Sequence, residues 1–142
     1  MQRLLVIAAS AAGMAAIGAT LLARPAESPA QEGKVFELRT YTPAPGKMDA
    51  LLARFRNHTV KLFAKHGMTN VGYWVTVEPV EGEKRLIYLL AHKSREAAAA
   101  SWRAFIADPE WNRAREESER EGRLAVKVES VYLTATDFSR IR

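Results

Sequence analysis

The 142-residue chain contains no cysteine, so it has no disulfide, no thiol nucleophile and no thiolate ligand for a metal. Packing alone must hold it together. It also lacks any run of Lys or Arg and any basic strand interleaved with aromatics. The net charge of +5 is therefore spread thinly, and no nucleic-acid partner is expected. None of its glycine turns has the G-x-G-x-x-G or G-x-x-x-x-G-K-[ST] spacing that cradles nucleotide phosphates, and no nucleophile elbow or zinc motif occurs. His58 and His66 stand eight positions apart on one predicted helix without an acidic ligand at metal-binding spacing, so no metal site is expected, and no cofactor is predicted.

The one long apolar run lies at the start. After Arg3 the chain is uncharged from Leu4 to Ala23, and a polar stretch then ends in Ser28-Pro29-Ala30. A positive start, an apolar stretch and small residues before a cut describe an export signal over residues 1–30, cleaved before Gln31. Its Ala-rich composition, poor in arginine and serine, is bacterial rather than mitochondrial in style. The expected location is the periplasm or the medium, with membrane contact only through the signal if it stays uncleaved.

The remaining residues, 31–142, are the length of one domain. "VFELRT" alternates as a strand, stopped by "TPAPG". Met48, Leu51, Leu52, Phe55, Thr59, Leu62 and Phe63 then make a helical stripe from about Lys47 to His66, with Arg54, Lys61 and Lys65 outside it and Gly67 as the left-handed cap. "MTNVGYWVTVEP" and "KRLIYLLAH" read as strands two and three, the latter covered on both faces. Ser94 caps a second helix that buries Ala98, Trp102, Phe105 and Ile106. Asp108 with Pro109 starts a third, "EWNRAREESERE", whose mixed charges suit a solvated face. "AVKVESVYLTAT" is the last strand.

The order β-α-β-β-α-β predicts an α+β ferredoxin-like sandwich, with helices on one face of a four-stranded antiparallel sheet. Its other face, expected to carry Tyr88, Leu90 and Tyr132, would be too apolar to stay bare, so a second sheet should pack on it.

"FELRTYTPAPGKMDALLARF", "VGYWVTVEP", "FIADPEW" and "VYLTATDFS" resemble the NIPSNAP family over about Val35 to Ser139. That resemblance implies the dimeric α+β barrel superfamily, in which two ferredoxin-like protomers press their sheets around a cavity. On this view the chain is a homodimer. Phe36 and Leu38 should meet the helices, while Glu37, Arg39 and Tyr41 face the space between sheets, where the two charges pair. Alternation adds Trp74 or Tyr73, then Tyr88, His92 and Tyr132, as further candidates for binding a small, largely apolar molecule. By analogy with barrel relatives, two enzyme alternatives stand beside this reading: a cofactor-independent monooxygenase using His92 or Glu37 as acid or base, and a haem enzyme with His92 on the iron. Resemblance to NIPSNAP members with roles in membrane traffic and organelle signalling implies a third class, a protein-interaction module docking through "EWNRAREESERE".

Overall fold

The computed structural model describes residues 34–142; the proposed signal at residues 1–30 and its cut before Gln31 lie outside the described residues. Strand β1 (Val35–Pro43) leads through a turn at Gly46, whose φ of 71° suits glycine, into helix α1 (Met48–Arg54). A π-helical segment (Phe55–Thr59) joins α1 directly to α2 (Val60–Lys65). Strands β2 (Thr69–Val75) and β3 (Leu86–His92) follow, then α3 (Arg95–Ala107), α4 (Pro109–Ser118) and β4 (Ala125–Leu133). The sheet order is β2-β3-β1-β4, antiparallel throughout, as the ferredoxin-like reading requires.

Local chemistry fixes the ends of these elements. The Ser94 hydroxyl accepts from the Ala97 N–H at the start of α3, and the Asp108 carboxylate accepts from the Glu110 N–H at the start of α4, where Pro109 needs no partner for its nitrogen. Glu81 and Gly82 both have positive φ in the turn where Val80 bridges Glu83, the backbone a tight two-residue hairpin turn demands. Strand β2 ends at Val75, short of the Pro79 expected from sequence.

The first helical rod is one piece, as its stripe predicted, but it is not uniformly α. The Thr59 hydroxyl reaches back five residues to the Arg54 carbonyl at 3.3 Å, and the wider turn lets Phe55, Thr59, Leu62 and Phe63 all face the sheet. Arg54, expected outside the stripe, is buried instead. It bonds to Glu119 at 2.9 Å with its guanidinium 5.3 Å from the Trp111 ring, so α4 covers that side of the rod. Ile106 also departs from expectation. It is 59% exposed, because α3 buries Ala98 and Phe105 and turns Ile106 outward.

The core gathers Leu51, Phe55, Leu62, Phe63, Met68, Leu86, Tyr88, Leu90, Phe105 and Leu124 between sheet and helices. This reverses the expected faces of β1. Glu37 lies opposite Leu90 and Tyr132, and Arg39 opposite Tyr88 and Ser130, so the row containing the charges is the one beneath the helices. Phe36 and Leu38 point the other way. The expectation assumed that the charged row must avoid the helix layer; in fact both rows are largely apolar, and Glu37 is supplied with enough donors to be buried there.

Tyr88 and Leu90, expected uncovered, are fully enclosed beneath the helices. The free face does carry apolar groups, but different ones: Trp74 is 55% exposed and Val131 54%, with Leu38, Ile87 and Leu89 half-buried among them. Strand β3 is thus covered fully on only one side. Across Phe36, Leu89 and Leu133 the tail after β4 folds back and, with Ile141, borders an open apolar pocket of about 250 Å³.

Candidate functional site

Glu37 is the centre of the polar cluster under the helices. Its side chain is fully buried and receives four hydrogen bonds: Arg39 Nη1 at 2.8 Å and Ser130 Oγ at 2.7 Å to Oε1, His92 Nε2 at 2.9 Å and Trp102 Nε1 at 2.7 Å to Oε2. Burial pushes the carboxyl pKa up, but the bonds from His92, Ser130, Arg39 and Trp102 outweigh it and bring the value down to about 2. Glu37 is therefore a carboxylate at neutral pH and can only accept. His92 must then carry its proton on Nε2. Its Nδ1, also buried, has no hydrogen-bond partner among the described residues.

The Arg39 guanidinium sits over Trp102, its carbon 4.3 Å from the ring centroid, with the Tyr41 ring at 5.8 Å. Its Nη1 donates to Glu37, and its side chain keeps 17% of its surface exposed. Burial works against its charge, but the neighbouring Tyr88, Tyr41 and Glu37 outweigh that and raise its pKa, so Arg39 stays a cation. The hydroxyl of Tyr88, its cross-strand neighbour, is buried beside Arg39 and Tyr41. Burial raises the pKa of that hydroxyl well above the usual tyrosine range, so it stays protonated.

Strand β4 closes one side of the cluster but is itself left uncovered. Val128, opposite Tyr41 on the helix-facing side, remains 44% exposed. Farther along the same side, Tyr132 lies 6.3 Å from the His92 ring, and the guanidinium of Arg95, from the first turn of α3, stacks 3.5 Å above Tyr132. Burial and the nearby Glu37 charge raise the Tyr132 pKa.

Of the residues expected from sequence, the fold brings Glu37, Arg39, Tyr41, Tyr88, His92 and Tyr132 together, on the helix side rather than between sheets. Trp74 is separated from them. A β-bulge between Asn70 and Gly72 shifts β2, so Tyr73 stacks on Tyr88 at 5.2 Å within the helix layer while Trp74 faces out. The indole folds back over Gly72, where a Cβ would come within 2.5 Å of the ring. Trp102, Ser130 and Arg95 were not singled out as site residues. The alternation that selected Tyr132 also selects Ser130, the lone serine in a valine-rich strand, but Trp102 and Arg95 depend on where α3 crosses the sheet. His66 bonds Asp108 at 2.6 Å beside Lys65 in a junction between helices, and no three His, Asp or Glu side chains among the described residues converge as a metal site.

No curated protein matches the chain. Among solved structures, it is similar to a NIPSNAP family protein with unknown function from Agrobacterium tumefaciens, at 21% identity over 79% of this chain and 96% of that one, with a TM-score of 0.66. A second A. tumefaciens NIPSNAP family protein is similar at 24% identity, over 77% and 99% of the two chains, with a TM-score of 0.66. An uncharacterized NIPSNAP-like domain protein from Burkholderia xenovorans is similar at 19% identity, over 76% and 90%, with a TM-score of 0.65. These likenesses speak for the fold. The NIPSNAP family model matches residues 36–140, most of the chain and all of its secondary structure from the second residue of β1 onward, and the chain belongs to the NIPSNAP family.

Proposed function

We propose that the protein binds a small, largely apolar molecule carrying an acidic group, held on the helix side of β1 and β4 with its acid on Arg39. The observation that carries this reading is the state of Arg39: a cation oriented by Glu37, placed over the Trp102 ring and partly exposed. A guanidinium fixed in this way loses little freedom on meeting a carboxylate, and Tyr41, Trp102 and the uncovered Val128 offer apolar surface for the rest of the molecule.

Binding is favoured over acid-base catalysis because the His92 side chain is only 1% exposed and Glu37 has no acceptor position left to offer. Neither reaches a substrate atom without rearrangement. Native mass spectrometry of the protein purified from its own source tests the reading. The wild type should carry a discrete extra mass that Arg39→Gln loses, and an adduct retained equally by both would contradict the assignment.

A second copy packs on the free sheet face, supported by the exposed Trp74 and Val131 and the half-buried Leu38, Ile87 and Leu89. The chain is exported through residues 1–30, supported by the apolar run and the small residues before Gln31. An intact mass of the secreted form beginning at Gln31 is the expected result; a mass that retains Met1 would exclude cleavage.

A further inference from the structure

The segment after β4 is tied down at several points. The Ser139 N–H donates to the Thr136 carbonyl at 3.1 Å, closing a turn with Asp137 and Phe138 at its tip. The Ser139 hydroxyl donates to the Ile141 carbonyl, and the Arg142 guanidinium donates to the carbonyls of Ser139 and Asp137. Lys34, just before β1, donates to the Arg142 carbonyl at 2.7 Å. The last residues of a domain ordinarily fray unless something fixes them. Here the fixing presents Phe138, 82% exposed, on a pre-shaped turn.

The same segment borders the open apolar pocket over Phe36, Leu89 and Leu133, with Thr136, Ser139 and Ile141 along its rim. Phe138 is not part of that lining, so its ring does not fill the pocket of its own chain. At about 250 Å³ the pocket is smaller than the roughly 300–1,000 Å³ of most small-molecule sites, and it suits a single side chain. One short segment thus carries both an exposed apolar knob and the rim of an open apolar hole. A two-fold pair of copies satisfies both at once, each inserting its knob into the other. Resting on the reading that a second copy packs on the free sheet face, we propose that Phe138 of each copy seats in the pocket of the other, against Phe36, Leu89 and Ile141. The turn is already shaped, so the ring loses little freedom on seating.

Sedimentation velocity of the wild type, Phe138→Ala and Ala135→Trp tests this, the last placing an indole in the pocket lining. A central aromatic anchor is lost twice per pair, so Phe138→Ala should weaken dimerisation at least about thirtyfold. Ala135→Trp should weaken it too, and thermal unfolding checks that both variants keep the fold. Mixing the two variants in equal amounts separates an exchange of side chains from general weakening. Only the mixed pair keeps one Phe138 facing one open pocket, so native mass spectrometry should find it in clear excess over random pairing. Phe138→Ala dimerising as the wild type does, or a mixed pair at the random proportion, overturns the Phe138 assignment. The free-face contact then still stands if Trp74→Glu dissociates the dimer. A wild type that is monomeric at every concentration overturns both.

Discussion

Glu37 shows how a charge is made tolerable in a core. Left alone, a buried carboxylate would take up a proton; four donors around it depress its pKa from 4.5 to about 2 instead. A folded-state pKa below the unfolded one means that the contribution to stability is fully present above about pH 4.5 and is lost as the pH falls towards 2. Its size is on the order of 3 kcal/mol, since each tenfold change in proton affinity is worth about 1.4 kcal/mol. Urea unfolding of the wild type and Glu37→Gln should therefore differ by roughly that amount at pH 7, with the gap narrowing below pH 4.5. A gap that stays constant down to pH 3 would mean that Glu37 does not carry the acid sensitivity. The sequence gives away Glu37 and Arg39 as partners, since they stand two apart on one strand face. It does not reveal the face, because the other three donors come from β3, α3 and β4, each far away in the chain.

At the level of elements, most boundaries were legible because their punctuation is chemical: Ser94, Asp108 with Pro109, and Gly67 all act where their residue types predict. The π-helical segment was not legible, since a stripe at three- and four-residue spacing tolerates one widened turn. Nor was the burial of Arg54 against Glu119 and Trp111, which depends on where α4 crosses the rod. Arg54→Ala should lower stability by about 2 kcal/mol, the loss expected for a hydrogen bond between charged groups, and thermal unfolding measures it; an unchanged midpoint would make the pair ornamental. The bulge in β2 was equally hidden, though Gly72 marked the place. Gly72→Ala should leave the fold intact and push the Trp74 indole outward, seen as a red shift in fluorescence. An unshifted spectrum would show that the ring does not rest on that glycine.

For the whole molecule, the ferredoxin-like order was readable from the sequence of strands and helices, and the layer assignment was not. Both faces of this sheet are apolar enough to be covered, so alternation alone could not say which row the helices take. The row they leave bare is the one proposed to meet a second copy. Val131→Glu places a charge on that face, on the edge strand β4, and should shift the protein from dimer to monomer in light scattering, at concentrations where the wild type is dimeric. A wild type that is monomeric throughout would remove this part of the account.

The helix-side location of the ligand is the central claim, and the indole N–H resonances of Trp102 and Trp74 report on opposite faces of the sheet. A titration of the ¹⁵N-labelled protein with heptanoate should move the Trp102 indole signal and leave that of Trp74 in place. Movement of Trp74 with Trp102 unmoved would put the ligand on the free face and contradict the assignment to Arg39.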